Sequence, residues 1–152
     1  MRFEKQVTVE APRQTVWAFL WDTARLAACV PGCDTVEEVE PYKRYHATVQ
    51  DRVGPFKVKV PLVIDVLEAA APSRLVARAN GRDASVQSLL KVELNLDLVA
   101  IDPQHTALQF HADVSVMGKL GTLGHSVIVR RGDAIIEQLA MAVQTALAQE
   151  SA

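Results

Sequence analysis

Few side chains in this sequence are spaced to make or break bonds. Cys29 and Cys33 have three residues between them, whereas zinc ribbons and redox dithiols use a two-residue gap. We interpret both as ordinary thiols. No metal-ligand spacing is evident among the four histidines, which are His46, His105, His111 and His125. With no GxSxG elbow and no convincing Ser-His-Asp order either, we predict no catalytic residue and no metal site.

A glycine-rich segment is the other feature that could take part in a functional site. Gly118, Gly121 and Gly124 fall within seven residues, between a predicted strand and a predicted helix. The GxxxxGK[ST] order of a phosphate-binding loop is absent, which argues against a phosphate site. We favour a hinge or flap at the mouth of a cavity, because glycines absorb backbone motion readily. A plain connector is the alternative. Gly54 and Pro55, in a predicted turn, belong to the same rim.

Composition limits the class of protein. The 152 residues correspond to one domain, 1–152, and can bury a core without disulfides. Sixteen basic and eighteen acidic residues give a net charge of −2, which argues against a non-specific nucleic-acid binder. The sequence has no secretion segment and no run of about 20 apolar residues. We therefore expect a cytoplasmic protein, with peripheral contact at the inner face of the cytoplasmic membrane as an option.

Hydrophobic periodicity predicts the elements that would position a site. Alternation predicts an amino-terminal strand, and Pro12 and Asp22 are expected to begin two short helices. Pro61 suggests an edge strand or a bulge, and Asn80-Gly81 a turn. Gly132 interrupts the last helix and suggests close packing or a bend. The predicted strands are 3–10, 34–40, 43–53, 56–66, 73–80, 92–98 and 108–116, and the long final helix spans about 123–148.

This order predicts an α+β fold in which a curved antiparallel sheet of about seven strands wraps around one long helix. A helix is about 10–12 Å wide, so a curved sheet leaves space beside it unless large side chains fill that space. Aromatic residues are only 5% of the chain, and much of the apolar face of the helix is alanine. Both facts favour a cavity between sheet and helix.

The motifs and their order resemble one family. The element order resembles the helix-grip fold of the START/Bet v 1-like (SRPBCC) superfamily. Within it, the chain is similar to the CoxG family of carbon monoxide dehydrogenase proteins over about residues 3–148. The motifs that carry the resemblance are Val16-Trp17 with Phe19-Leu20, Cys29-Val30-Pro31-Gly32-Cys33-Asp34, Val53-Gly54-Pro55-Phe56, and Gly118-Lys119-Leu120 with Leu123-Gly124.

The resemblance implies an accessory protein and no catalytic role. Members accompany carbon monoxide dehydrogenase-type molybdenum hydroxylases and are thought to recruit the enzyme to the membrane. The resemblance also implies that the cavity can carry a quinone or another apolar ligand. No motif in the sequence predicts a tightly bound cofactor. Two departures matter. Many relatives continue beyond the final helix, whereas this sequence stops at Ala152, which argues against direct membrane docking. Relatives often carry bulky aromatics where this chain has 139–146, which suggests a roomier pocket.

Three functional hypotheses follow. The first is a non-enzymatic carrier of a hydrophobic molecule for a molybdenum hydroxylase complex. The second is an enzyme of the same fold, such as a polyketide cyclase or a small hydrolase, and the third is a ligand-free assembly factor. Candidates for a polar group inside the cavity are Gln87, Ser88, Asn95 and Thr106. The predicted cavity wall comprises Val58, Val60, Leu62, Leu96, Leu98, Leu108, Phe110, Met117, Leu120, Ile135 and Leu139.

Overall fold

The computed structural model describes residues 1–151 and contains seven strands, three α-helices and one 3-10 segment. The strands are β1 (Arg2–Val9), β2 (Cys33–Glu40), β3 (Arg44–Val53), β4 (Phe56–Ala70), β5 (Arg74–Asp83), β6 (Ser88–Asp102) and β7 (His105–Gly118). The helices are α1 (Arg13–Trp21), α2 (Thr23–Cys29) and α3 (His125–Ser151), and the 3-10 segment is Lys119–Leu123.

All seven strands form one antiparallel sheet in the order β1-β7-β6-β5-β4-β3-β2. Strands β2 to β7 follow one another as neighbours, and β1 pairs with β7, so the first and last strands of the chain lie side by side. The long helix α3 follows β7 through the 3-10 segment. The predicted α+β class, the seven antiparallel strands and the long final helix are confirmed.

The two short helices begin where the sequence predicts. Pro12 takes the N-cap position of α1 with φ −62°, and its missing N–H leaves no donor unsatisfied there. Asp22 separates α1 from α2, and its carboxylate accepts a hydrogen bond from the Arg25 N–H at 3.3 Å. This side-chain cap satisfies a free amide of α2, as expected for aspartate at that position.

Two predictions about the strands, a turn at Asn80-Gly81 and an edge position at Pro61, need correction. Asn80 and Gly81 lie inside β5, opposite Lys91 and Leu90, and the turn falls at residues 84–87 instead. There the buried Asp83 carboxylate accepts hydrogen bonds from Ser85 and Val86 and so organises the turn. Pro61 lies in β4, which is flanked by β3 and β5 and is no edge strand. Pairing with β5 runs from Ala70 to Leu62 and stops next to Pro61. The backbone N–H that proline lacks is therefore not needed for pairing with β5.

The buried apolar residues form two separate clusters. The main cluster lies between α1, α2, α3 and the sheet, and its buried members are Val9, Ala11, Val16, Phe19, Cys29, Leu96, Leu98, Leu108, Val143 and Leu147. The second cluster lies at the β3–β4 and β5–β6 turns and the 3-10 segment. It contains Val53, Val58 and Val86, with Phe56, Val60, Leu120, Leu123 and Val127 packed against them.

Helix α3 is held across the sheet by polar contacts at several points. Arg131 donates two hydrogen bonds to the Asp51 carboxylate of β3, at 2.9 and 2.7 Å. Lys5 of β1 and Glu137 form an ion pair at 2.5 Å. Gly132 lies between these contacts, where an added Cβ would stand 2.5 Å from the Phe3 ring. The glycine therefore permits close approach of the helix to β1, as the sequence suggested.

Candidate ligand-binding cavity

A cavity of about 360 Å³ lies between the concave face of the sheet and the helices. All seven strands contribute inward-facing residues, and α3 contributes Ile136, Leu139, Ala140 and Val143 at helical spacing. The carboxyl end of α1 and three residues of α2 complete the wall. The size is within the range of small-molecule sites, which runs from about 300 to 1,000 Å³. The remaining lining residues are Lys5, Val7, Leu20, Trp21, Thr23, Leu26, Ala27, Val30, Cys33, Val36, Tyr45, Ala47, Val49, Leu62, Ile64, Val66, Leu75, Ala77, Leu94, Leu96, Leu108 and Phe110.

Polar side chains are few on this wall, and two of them are already bonded. The Lys5 ammonium pairs with Glu137. The Tyr45 hydroxyl accepts a hydrogen bond from the Tyr42 N–H at 3.0 Å and donates one to Glu38 at 3.5 Å. Because these groups have partners outside the cavity, the wall offers an apolar ligand a surface of methyl and methylene groups.

Burial raises the pKa of two acidic groups of the wall, Cys33 and Tyr45. Desolvation raises the pKa of the Cys33 thiol, and the nearby Asp34 carboxylate raises it further. Desolvation also raises the pKa of Tyr45, an effect that the Tyr42 N–H opposes and Glu38 reinforces. A thiol must ionise to act as a nucleophile, so the raised pKa makes Cys33 a weaker nucleophile at neutral pH than an ordinary cysteine.

An aromatic cluster forms the wall where α1 ends. The Trp21 ring lies 5.7 Å from Trp17, 4.6 Å from Tyr42 and 6.2 Å from Tyr45, measured between centroids. The Trp21 indole N–H is buried and has no hydrogen-bond partner among the described residues. Trp21 also lines the cavity, and Trp17 contacts it edge-on, so we expect tryptophan fluorescence to respond to a bound ligand.

Five of the eleven predicted wall residues line this cavity. Leu62, Leu96 and Leu108 project from three different strands, Phe110 lies on β7 and Leu139 on α3. They come together because alternate residues of each strand share one face, and the concave face is the one that α3 covers. Their contact with a ligand stays a prediction.

The other six predicted wall residues lie elsewhere. Val58, Val60 and Leu120 belong to the second apolar cluster, so they pack against neighbouring side chains. Leu98 is buried in the main cluster. Met117 is 48% exposed. On α3 the cavity takes Ile136 in place of Ile135, a difference of one residue, or about 100° of rotation, around the helix axis.

The five residues predicted at a cavity mouth lie at the end of the sheet occupied by the second cluster. Gly54 has φ +57°, and an added Cβ would contact the Leu123 side chain at 3.3 Å. Pro55 follows it in the β3–β4 turn. Gly118, Gly121 and Gly124 flank and interrupt the 3-10 segment whose leucines pack there. None of the five lines the cavity of 360 Å³, and a role as a mouth stays a prediction.

The predicted polar candidates also lie outside the wall. The Ser88 hydroxyl accepts a hydrogen bond from the Leu120 N–H at 2.9 Å, which ties the 3-10 segment to β6. The Thr106 hydroxyl donates to the Ala11 carbonyl at 2.8 Å. Asn95 accepts from Arg74, and Gln87 lies in the β5–β6 turn with φ 48°. Three of the four side chains therefore bond within the sheet and its neighbouring segments, and none of the four lines the cavity.

Several wall residues escaped prediction although the sequence carried a signal for some of them. Tyr45, Ala47 and Val49 alternate along β3, so period-two reasoning could have found them. Trp21, Leu26 and other residues of α1 and α2 offered no comparable signal, because their contact with the cavity depends on how the two short helices pack. Among the described residues no group of three or more His, Cys, Asp or Glu side chains could hold a metal ion.

Comparisons with known proteins agree with this architecture. The family model for CoxG, a subunit of carbon monoxide dehydrogenase, matches residues 6–148. A conserved protein from Geobacillus kaustophilus superposes with a TM-score of 0.88 at 21% identity, over 98% of this chain and 96% of that chain. A START superfamily protein from Mycobacterium smegmatis gives 0.77 at 17%, over 97% of both chains.

A third solved structure, the Zhui aromatase/cyclase from a Streptomyces species, gives a TM-score of 0.68 at 20% identity. The match covers 99% of this chain and 92% of that chain. At these identities the structural similarities establish the START-like fold alone. A search of curated proteins gave no match.

Proposed function

The chain belongs to the CoxG family of carbon monoxide dehydrogenase proteins, and on that premise we propose that it is a non-catalytic accessory protein that carries a hydrophobic ligand. The ligand would lie between the sheet and α3. The observation that carries the proposal is the cavity of about 360 Å³, whose wall is almost wholly aliphatic and aromatic. Transfer of apolar surface from water into such a site is favourable by roughly 25 cal/mol per Å².

A quinone fits the chemistry of this wall. Burial of a charge without a partner is costly, and the groups around the cavity are either neutral or already paired. A quinone and its doubly reduced, doubly protonated form are both uncharged, so either could remain inside. We propose a carbon monoxide dehydrogenase-type molybdenum hydroxylase as the partner, on the basis of the family. The chain would assist its recruitment to the membrane or the transfer of its electrons to a membrane pool.

The cyclase alternative draws support from the fold shared with the Zhui aromatase/cyclase. General acid–base catalysis needs a positioned group whose pKa lies near the working pH. In this cavity the pKa values of Cys33 and Tyr45 are raised by burial, away from that range. Lys5 is paired with Glu137. The third hypothesis, an assembly factor whose own side chains fill the pocket, is disfavoured by the empty volume.

The proposal is tested by purifying the protein without detergent from its native host, followed by organic extraction and mass spectrometry. We expect a quinone or a similar apolar molecule at near-stoichiometric yield. The apoprotein should then bind an added short-chain quinone with quenching of tryptophan fluorescence, because Trp21 lines the cavity. An empty extract together with no quenching would overturn the carrier and leave the assembly factor.

A further inference from the structure

One end of the convex sheet face carries a cluster of exposed cations. Six exposed cations lie there, and within the described part of the chain none of them makes an ion pair. We call this surface the basic patch. Its cations are Arg52, Lys57, Lys59, Arg82, Lys91 and Lys119.

Strand register places these cations together. Arg52 lies opposite Lys57, and Lys59 lies opposite Gln50 one row further along. The Lys59 N–H donates to the Asp83 carboxylate at 2.7 Å, which joins this hairpin to the end of β5 next to Arg82. Lys91 follows two residues after the position that pairs with Arg82, on the same face of β6.

Two exposed apolar side chains lie within the basic patch. Leu89 is directly opposite Arg82 on one side and Met117 on the other. Leu89 is 42% exposed and Met117 is 48% exposed. Lys119 follows Met117 after a single glycine. The surface therefore combines aliphatic side chains at its centre with cations around them.

Two carboxylates near this end, Asp83 and Asp51, make their bonds away from the six cations. Asp83 is 4% exposed and is saturated by hydrogen bonds from Lys59, Ser85 and Val86. Asp51 points to the opposite face and is bonded to Arg131. Because the whole chain has a net charge of −2, the positive patch implies an acidic remainder, and the molecule carries a strong charge asymmetry.

We propose that the basic patch docks the protein on an anionic lipid bilayer, with Leu89 and Met117 entering the interfacial region. Cations near an anionic membrane and apolar side chains that insert beside them are the two attractions that hold peripheral proteins at a bilayer. The inference rests on the proposed function, because an apolar cargo dissolves in membranes, and a carrier must reach a membrane to exchange it. It differs from docking through a segment beyond the final helix.

Two features favour lipid over other polyanions. Among its described residues the patch presents no exposed aromatic ring on which a nucleic-acid base could stack. Its apolar residues are flexible aliphatic chains, which lipid tails accommodate. An acidic protein surface would need only the cations and would not require the exposed aliphatic side chains of Leu89 and Met117.

The test is co-sedimentation with phosphatidylcholine vesicles prepared with and without phosphatidylglycerol. We expect binding to the anionic vesicles only, weakened by added salt. The Lys57→Gln/Lys59→Gln/Lys91→Gln variant should lose roughly a hundredfold in partitioning, because each cation contributes about fivefold. A control with the same change in net charge, Arg2→Gln/Lys43→Gln/Arg44→Gln, lies outside the patch and should lose far less.

A second variant separates insertion from attraction. Leu89→Ser/Met117→Ser keeps every charge and should reduce partitioning by roughly tenfold. Equal loss in the control and the patch variants, or undiminished binding of the patch variants, would overturn the docking surface. Binding to duplex DNA in place of vesicles would overturn it as well.

Quinone binding, measured by tryptophan quenching in the same variants, keeps this proposal distinct from the carrier. We expect all variants to retain it, because none of the substituted residues lines the cavity. Retained quenching without vesicle binding would refute the docking surface alone. Vesicle binding by a wild-type protein that shows no quenching would refute the carrier alone.

Discussion

Substitution of Ala140 by phenylalanine tests the open space between α3 and the sheet. Ala140 is 8% exposed on the inner face of α3 and lines the cavity. A phenyl ring at this position would bury roughly 100 Å² of additional apolar area. At about 25 cal/mol per Å², this burial gives an upper limit of about 2.5 kcal/mol of added stability. Because the ring must fit a space not shaped for it, we expect a net gain of about 1 kcal/mol.

The sign of the change in the free energy of unfolding distinguishes an open cavity from a close-packed core. In a close-packed core the same substitution would cost about 1–3 kcal/mol through overpacking. Denaturant unfolding of the variant and of wild type, in the absence of ligand, measures the difference. Met141→Phe is the matched control, since Met141 is the next residue on α3 and is 58% exposed. Its stability should change by less than about 0.5 kcal/mol.

The same variant should weaken ligand binding. A ring in the cavity displaces two or three methylene groups of a ligand, each worth about 0.8 kcal/mol, which predicts a loss of roughly 10- to 50-fold in affinity. Quenching of Trp21 by a short-chain quinone measures it. A destabilised Ala140→Phe would refute the open volume. A stabilised variant with unchanged quinone affinity would show that the ligand binds elsewhere.

Three further predictions concern the wall and the elements that support it. Phe110→Asp should abolish quinone quenching, because a carboxylate would enter an apolar wall, whereas Val99→Asp on the exposed side of β6 should leave quenching intact. Asp83→Ala should cost about 2–3 kcal/mol at neutral pH, since charge-assisted hydrogen bonds are lost. Hydrogen bonds, first that from Ser85, lower the pKa of Asp83. The contribution of the Asp83 carboxylate to the free energy of unfolding is therefore full at neutral pH and is lost as the pH falls below about 3.9 towards the folded-state pKa. The free energies of unfolding of wild type and Asp83→Ala, measured against pH, should converge in acid. Gly132→Ala should destabilise by about 1–3 kcal/mol in spite of the better helix propensity of alanine, because its Cβ meets the ring of Phe3; unfolding curves that show a gain would contradict the tight contact.

Strand alternation predicted the inner face of the sheet well but not the position of the cavity along it. Val58, Val60 and Leu62 all lie on the inner face of β4, as their period-two spacing indicates. Only Leu62 lines the cavity, because leucines of the 3-10 segment reach back over the first two valines. That contact joins residues about 60 positions apart, and no local pattern encodes it.

Helix α3 illustrates a second limit of sequence reasoning. Ile135 and Ile136 are adjacent, and both fit an apolar face of the helix. The contact that fixes its rotation is the approach of Gly132 to Phe3 on β1, together with the pair of Lys5 and Glu137. Such long-range contacts turn Ile136 towards the cavity. The sequence could predict that α3 is amphipathic and long, but only its neighbours determine which isoleucine faces inward.

The apolar wall of the cavity and the basic patch on the surface both favour a neutral ligand that dissolves in membranes. A cavity that raises the pKa of Cys33 and Tyr45 by desolvation also penalises a charged ligand. A molecule that gains electrons without protons would become an anion and be expelled, whereas one that gains both stays neutral and bound. Neutral apolar molecules are concentrated in membranes. A basic patch on a chain of net negative charge would bring the carrier to the phase in which its ligand dissolves.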